Sequence, residues 1–232
     1  MDSNKPVFWH QGLFLQPQHF QLAEQYQQSQ LYPYHTYQMP HFWGVCTLEM
    51  QSTSLNHRTC EIESGDFLFS DGTFVSIPDN AVISPRSFEQ EWVDPDKPFT
   101  IYLALHNHNR HGENVTIVND FSDLGDINTR YVSTANPENI RDAYVEGPEA
   151  QVKFLRYMLK IVFDNEKDDM NDYELIPLAQ VIRDGDTIMY NRQFIPPTVS
   201  LNAIPELARV VKDVRDEVMG RALQLSSYKA PV

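Results

Sequence analysis

The sequence contains little of what several functional classes require. It has 2 cysteines, 9 glycines and only 18 basic side chains against 32 acidic ones in 232 residues. The formal charge of −14 repels phosphate backbones and anionic lipid surfaces, so we predict no nucleic-acid binding. No glycine-rich loop leads into a Lys-Ser or Lys-Thr pair, which excludes the phosphate-binding loop of nucleotide hydrolases.

Long apolar runs and a secretion leader are also lacking. No run approaches the roughly 18 residues that a membrane helix needs, and Met1–Lys5 has neither the basic region nor the apolar core of a signal peptide. We therefore predict no membrane insertion and a cytoplasmic location. In a reducing compartment, the two cysteines, Cys46 and Cys60, are expected to be free thiols rather than a disulfide.

Aromatic residues and alternating patterns are abundant, and they indicate a mainly β protein. Thirteen phenylalanines, eleven tyrosines and fifteen prolines favour strands and extended loops. Alternation predicts a strand over Trp43–Met50 and an interior strand over Phe99–Leu105. Asp-Gly pairs at Asp71-Gly72 and Asp184-Gly185 predict two hairpins with two-residue turns, which would place Phe69 opposite Phe74 and Val181 opposite Ile188.

The N-terminal stretch is unusually rich in apolar residues. Val7–His10 alternates as a strand would, and Pro17 fits the first turn of a helix that continues through Leu31. Because so much apolar surface needs a partner, we predict that Trp9 is largely buried and that the stretch is docked. Tyr32–His41 is predicted to be extended, and its aromatics either bind a partner or pack internally. The candidate docking residues are Phe8, Trp9, Leu13, Phe14, Phe20, Tyr34 and Phe42.

Near residue 200 the apolar period changes from two to about 3.5. Asn202 is a candidate N-cap and Pro205 fits the first turn of a helix that continues to about Leu225. Its apolar residues recur at alternating spacings of three and four, as in a coiled coil, with Arg221 the only interruption, and valine at both seam positions favours three strands. The predicted neck seam is Ile204, Leu207, Val211, Val214, Val218 and Leu225.

This change of period divides the chain into a β-rich domain of residues 1–200 and a helical segment of residues 201–232. The alternative to a trimeric neck is a helix that folds back on its own β domain. Against that alternative, Pro196 and Pro197 direct the chain away, and no second helix is available as a partner.

Three histidines form the best candidate for a metal site. His106, His108 and His111 lie close in sequence, and a strand followed by a turn would bring them together for a metal-dependent hydrolase. No Glu-x-x-His pattern or cysteine accompanies them, and Arg110 adds an unfavourable positive charge. His10 and His19 lack a nearby nucleophile at a strained turn, so packing and hydrogen bonding are favoured for both. We predict no enzyme activity, cofactor or metal.

Motifs along the chain resemble those of a known family. Trp9, Gly12 and Leu15, followed by Pro17-Gln18-His19-Phe20-Gln21, are similar to the opening signature of TssK, a baseplate subunit of the bacterial type VI secretion system. Four further motifs agree with the family in the same order: Trp43-Gly44-Val45, Asp71-Gly72 after an aromatic strand, Ile176-Pro177-Leu178-Ala179, and Phe194-Ile195-Pro196-Pro197. Together the five motifs span nearly the whole chain.

The resemblance implies a structural adaptor rather than an enzyme. It implies a homotrimer with a β-sandwich shoulder on a helical neck, as in the receptor-binding proteins of tailed phages. The N-terminal part would bind the baseplate subunits TssF and TssG. The family's chains continue well beyond Val232, and their C-terminal part, missing here, would face the membrane complex.

Overall fold

The computed structural model describes residues 5–92, 94, 97–122, 124–185 and 187–228. Helices α1 (Pro17–Pro33) and α2 (Pro205–Ser227) lie near the two ends. The strands between them are β1 (Gly44–Met50), β2 (Thr59–Cys60), β3 (Ile62–Leu68), β4 (Phe74–Ile77), β5 (Ala81–Ile83), β6 (Arg86–Ser87), β7 (Phe99–His106), β8 (Val115–Val118), β9 (Tyr131–Thr134), β10 (Glu138–Ile140), β11 (Ala150–Val152), β12 (Arg156–Phe163), β13 (Tyr173–Asp184) and β14 (Thr187–Tyr190).

Two sheets pack face to face, which confirms the predicted β-sandwich. The smaller has the order β1-β3-β4, and the larger has the order β14-β13-β7-β12-β9-β8 with β5 parallel to β12. Phe67 and Phe69 from the smaller side meet Leu105 and Leu178 of the larger sheet in one buried cluster. This shared apolar core is what holds the two sheets together.

The prediction of an interior strand at Phe99–Leu105 is confirmed. Strand β7 pairs with β12 on one side and with β13 on the other. Ile101 and Leu103 are fully buried on one face, and Ala104 is fully buried on the other. A strand covered on both faces reads as a continuous apolar run, as this one does.

The first hairpin is present, but its predicted register is wrong. Leu68 pairs with Phe74, and the Phe69 amide donates to the Thr73 carbonyl at 2.9 Å. The loop therefore has three residues and ends at Gly72 with φ +85, a geometry common in three-residue hairpins. A shift of one residue exchanges the faces of a strand, so Phe69 lies in the core while Phe74 is exposed.

The second hairpin also differs in register. Val181 pairs with Tyr190 and Arg183 with Ile188, a shift of two residues from the predicted pairing. The turn begins after Asp184, with Gly185 at φ +61. A shift of two keeps every side chain on its predicted face, so this error does not change the core.

Three local predictions are wrong. Val7–His10 is not a strand, and Tyr32–His41 is not extended, because α1 continues to Pro33 and a π-helical turn follows over Tyr34–Gln38. Proline only biases the residue before it away from helix, and here the amide of Met39 closes the wider turn on the Tyr34 carbonyl at 3.0 Å. The N-cap of α2 is Ile204 rather than Asn202, whereas Pro205 is confirmed in the first turn.

A bidentate ion pair links β6 to the loop after β12. The Arg86 guanidinium donates to the two carboxylate oxygens of Glu166 at 2.7 and 2.6 Å, and also to the Ile161 carbonyl at 2.9 Å. It lies 4.7 Å from the centre of the Phe163 ring. Burial raises the pKa of Glu166, but hydrogen bonds from Arg86 and from the Phe163 amide outweigh it, so the net pKa is lowered.

This lowered pKa predicts how stability depends on pH. A carboxyl group whose pKa is lower in the folded state stabilises the protein above its unfolded pKa and loses that contribution as pH falls through the folded value. We expect Glu166→Gln to reduce the free energy of unfolding by about 1–2 kcal/mol at neutral pH. Urea unfolding should show this difference shrinking between about pH 5 and pH 3. An equal difference at both ends of that range would contradict the assignment.

Candidate docking surfaces

Helix α2 leaves the sandwich after its first turn. Ile204 is buried against the chain's own sheets and Leu207 is half-buried, so the first predicted seam residue belongs to the sandwich. The later seam residues Val211, Val214 and Val218 are exposed, as is Leu225. The alternative in which the helix folds back on its own β domain is therefore wrong, and an apolar stripe is left uncovered in the single chain.

Charged side chains flank this stripe. Arg215 contacts Asp216 at 2.7 Å. Arg221, which interrupts the seam, donates to Glu217 one turn earlier on the same helix at 2.6 Å. Arg221 therefore has a partner on its own helix, and the apolar positions before it form an unbroken seam from Leu207.

The N-terminal arm, which we define as residues 5–16, is exposed rather than buried. Trp9 is 51% exposed, so the prediction that it is largely buried is wrong for the single chain. Its ring lies beside α1, with its centre 6.4 Å from that of His19 and 6.3 Å from that of Phe20. Phe8 and Phe14 are more exposed still. The density of apolar residues predicts that this surface is buried, but it does not distinguish burial within the chain from burial against a partner.

Helix α1 carries the arm, and none of its residues is buried. The amide of Gln16 donates to Nδ1 of His19 at 3.1 Å, so the His19 ring satisfies an amide at the start of the helix. Leu13 is half-buried, whereas Phe20 is exposed. The histidine of the opening motif therefore has a structural role at the helix N-terminus.

The π-helical turn presents more aromatic surface. Tyr34 and Phe42 are exposed, so internal packing does not account for this segment. The turn is fixed by His35, whose ring lies so close to Gly72 that a Cβ there would be 2.8 Å from it. The seven predicted docking residues are thus half-buried or exposed.

Two motifs that are far apart in sequence meet at the base of α2. The Val45 amide donates to the Pro197 carbonyl at 2.8 Å, and the Val199 amide donates to the Val45 carbonyl at 3.1 Å. Gly44 has φ +130, and a Cβ there would lie 2.2 Å from the Pro197 carbonyl oxygen. This contact, which we call the Gly44 joint, fixes the direction in which the chain leaves the sandwich.

We expect Gly44→Ala to lower the free energy of unfolding by about 2–4 kcal/mol. The added Cβ would collide with rigid backbone, and the φ of this residue lies in a region that favours glycine. Thermal unfolding measures this loss. Gly185→Ala is the matched control, since Gly185 also has positive φ but nothing lies within 4 Å of its Cβ position. In Gly185→Ala, backbone strain alone should lower the free energy of unfolding by about 1–2 kcal/mol. Equal losses in the two variants would rule out the collision at Pro197.

The histidine cluster does not assemble into a metal site in the described part of the chain. His106 contacts the Tyr173 ring edge-on at 4.8 Å, and its carbonyl accepts a hydrogen bond from the buried Arg130. Burial, followed by the positive charges of Arg130 and Arg110, lowers the pKa of His108. Among the described residues, no group of three or more His, Cys, Asp or Glu side chains is arranged to hold a metal ion.

Neither cysteine is an activated nucleophile, because burial raises the pKa of both thiols. Cys46 and Cys60 are both free thiols, and burial raises the pKa of Cys60 to about 12, which leaves the thiol protonated. Over the residues that the structure covers, no helix is long and apolar enough to cross a membrane. Among the described residues, exposed apolar side chains are grouped on the arm, on the π-helical turn and along α2.

Residues 19–231 match the model of a bacterial type VI secretion family that includes VasE, ImpJ and EvfL. The chain belongs to this family. A relative from Pseudomonas aeruginosa, the type VI secretion system baseplate component TssK1, is 27% identical over 217 residues. That match covers 92% of this chain and 46% of the relative, so the chain spans about half the length of the curated relative it matches.

Solved structures from type VI secretion systems have the same fold. The crystal structure of TssK superimposes with a TM-score of 0.79 at 22% identity, covering 100% of this chain and 50% of that one. A chain of the TssK–TssF–TssG baseplate subcomplex superimposes with a TM-score of 0.80 at 21% identity, covering 97% and 72%. These likenesses extend over the sandwich and α2, so the family's architecture is present here.

Placed on this fold, the motifs of the family resemblance mark positions where the backbone departs from regular structure. The motifs Trp43-Gly44-Val45 and Phe194-Ile195-Pro196-Pro197 meet at the Gly44 joint. The motif Asp71-Gly72 closes the first hairpin. Pro177 lies in central strand β13, and the pairing with β7 shifts register between Pro177 and Ala179. A proline within a sheet fits at such a bulge, where a ladder hydrogen bond is already lost.

Proposed function

We propose that this chain is the shoulder and neck part of a trimeric, non-enzymatic baseplate subunit of the type VI secretion system. In this proposal it acts in the cytoplasm, and its sandwich side binds the TssF and TssG subunits. The sandwich would comprise residues 1–200 and the neck residues 201–232. The observation that carries the proposal is the uncovered apolar stripe of α2, on a chain of this family.

The stripe supports a three-stranded neck. Val211, Val214 and Val218 occupy both seam positions, and β-branched residues at both positions favour three strands over two. Helix α2 has 23 residues and is therefore about 35 Å long. About three heptads are marginal by themselves, so contacts between the sandwiches must add to the stability of the trimer.

The N-terminal arm and α1 support the second part of the proposal. Phe8, Trp9 and Phe14 present exposed aromatic surface in a segment far from the stripe of α2 in sequence. Aromatic side chains on an otherwise polar surface are typical anchors of protein interfaces. A TssK–TssF–TssG subcomplex is known for a protein of this fold, which makes TssF and TssG the expected partners.

The part of the family's chain that would follow α2 is proposed to face the membrane complex. In that arrangement the neck separates two docking ends, and the subunit connects the baseplate to the membrane complex. Nothing in this role requires a bound metal or a reactive side chain.

Sedimentation equilibrium tests the trimer. At tens of micromolar, the expected mass is three times the 26.9 kDa of the chain. Dilution should shift the population towards monomer, because the short neck makes assembly depend on concentration. A stable monomer across the whole concentration range would contradict the proposal.

A further inference from the structure

The tip of the first hairpin receives a side chain from the π-helical turn. Gly72 lies at this tip with φ +85, and the ring of His35 covers it. A Cβ at residue 72 would lie 2.8, 2.9 and 3.2 Å from Cδ2, Nε2 and Cγ of that ring. Because three bonded ring atoms are almost equally near, the ring lies with its face against the glycine. We call this the His35–Gly72 contact, and it depends on the missing side chain of the glycine.

A buried arginine holds the hairpin tip to the larger sheet. The Arg130 guanidinium donates to Oδ2 of Asp71 at 3.0 Å, to Oγ1 of Thr73 at 2.6 Å and to the His106 carbonyl at 2.7 Å. The Thr73 amide donates to Oδ1 of Asp71 at 2.8 Å. Gly72 therefore lies between two residues that bind the same guanidinium. The tip is a rigid base, because moving it would break charge-assisted hydrogen bonds.

The segment that rests on this base has little packing of its own. Neither α1 nor the π-helical turn contains a buried residue. His35 is half-buried, whereas its neighbours Tyr34 and Tyr37 are exposed. A short helical segment without a buried face gains little stability from packing, so its position depends on few contacts. The contact of His35 with a rigid tip is one that determines where the exposed aromatic side chains lie.

The geometry of the turn also points to a function. Tyr34–Gln38 forms a π-helix, which the Met39 amide closes on the Tyr34 carbonyl at 3.0 Å. π-Helical turns are rare, and they occur frequently at functional sites. Here the wide turn directs His35 to the hairpin while Tyr34 and Tyr37 stay exposed. One local geometry thus provides both the contact with the sandwich and the exposed aromatic surface.

We propose that the His35–Gly72 contact fixes the exposed aromatic residues of the π-helical turn and α1 in the arrangement that binds TssF–TssG. This inference rests on the docking function proposed above, and it adds His35 and Gly72 as positioning residues for that surface. A surface that is ordered before binding loses less conformational entropy when the complex forms. The contact therefore raises the affinity although neither residue has to touch the partner.

Gly72→Ala tests the contact through its affinity for immobilised TssF–TssG. The added Cβ displaces the His35 ring, so the dissociation constant should rise about tenfold or more. Gly185→Ala is the matched control, because Gly185 also has positive φ in a hairpin turn but nothing lies within 4 Å of its Cβ position. Its affinity should equal that of the wild type. Both variants should lower the melting temperature similarly, which separates lost binding from backbone strain.

A double-mutant cycle isolates the contact between the two residues. His35→Ala alone should also weaken binding, since the turn then lacks the ring that rests on the hairpin. When His35→Ala is already present, Gly72→Ala should have little further effect on the dissociation constant. The reason is that the three atoms nearest to the new Cβ all belong to the ring. Independent effects that multiply in the double variant would overturn the inference.

The outcomes separate this inference from the proposed docking function. If the wild type binds TssF–TssG and Gly72→Ala binds equally well, the positioning role is wrong and the docking function stands. If the wild type does not bind, the docking function is wrong, and so is the inference that rests on it. Hydrogen exchange provides a readout without the partner: residues 34–39 should exchange faster in Gly72→Ala than in Gly185→Ala. Equal exchange in the two variants would contradict the displacement of the turn.

Discussion

Replacing Val214 by aspartate is expected to convert the proposed trimer to monomers while the sandwich stays folded. Val214 is 56% exposed in the single chain, so the change removes little packing within one copy. In a neck, three aspartates would meet in one layer of the seam. An uncompensated buried charge costs about 3 kcal/mol or more, which is over a hundredfold in association for each chain.

Sedimentation equilibrium at several loading concentrations measures this effect, and thermal unfolding checks the fold. Leu223→Asp is the matched control: Leu223 is 70% exposed on the same helix, and nine residues place it about 180° around the helix from Val214. The control should remain trimeric with an unchanged melting temperature. A trimeric Val214→Asp variant, or loss of the trimer in both variants, would show that the stripe is not the assembly surface.

Replacing Trp9 by alanine is expected to abolish most of the proposed binding to TssF–TssG with little loss of stability. The ring contacts of Trp9 with His19 and Phe20 account for about 1 kcal/mol or less of folding free energy. Tryptophan at the centre of an interface typically contributes 2 kcal/mol or more to binding, so the dissociation constant should rise at least about 30-fold.

Biolayer interferometry with immobilised TssF–TssG measures this dissociation constant. Tyr144→Ala is the control, because Tyr144 is 96% exposed in the loop between β10 and β11, outside the arm and α1. Its affinity should equal that of the wild type. If Trp9→Ala keeps both wild-type affinity and melting temperature, the arm is neither an anchor nor a docking element. A double variant, Tyr34→Ala/Phe42→Ala, tests the π-helical turn in the same assay.

Alternation along the chain predicted most of the architecture. The continuous apolar run of Phe99–Leu105 indicated a strand with neighbours on both sides, and both neighbours are present. The change from a period of two to one of about 3.5 indicated where α2 begins. These patterns are readable because burial on one or two faces imposes a fixed period on the sequence.

The same patterns did not predict the register of the hairpins. The sequence Ser-Asp-Gly-Thr fits a two-residue turn at Asp71-Gly72 as well as a three-residue loop that ends at Gly72. The choice depends on whether Phe69 or Phe74 enters the core, and both are phenylalanine. Tertiary packing decides between them, with Phe69 joining Phe67 and Leu105 in the core.

Exposure of the docking surfaces was also beyond prediction from the residues alone. The density of apolar residues at Trp9 and along α2 predicts that these residues are buried. It does not distinguish burial in the core from burial at an interface. The spacing along α2 had a further signal, because a seam of three and four residues is narrower than the stripe that packs on a sheet. The arm had no such signal, because it is too short to show a periodic spacing of apolar residues.

The Gly44 joint is another feature that could be found only in part. A glycine between Trp43 and Val45 interrupts a strand pattern, and such a glycine often marks a close approach of backbone. The sequence does not indicate which segment of backbone approaches this glycine. Here the segment is Pro197, more than a hundred residues away, and its carbonyl oxygen lies against Gly44.

Native mass spectrometry of the chain co-expressed with TssF and TssG tests the central proposal most directly. The expected result is a complex that contains all three proteins and in which this chain occurs in multiples of three. Recovery of the chain as a free 26.9 kDa monomer, with TssF and TssG associated without it, would contradict the proposed role in the baseplate.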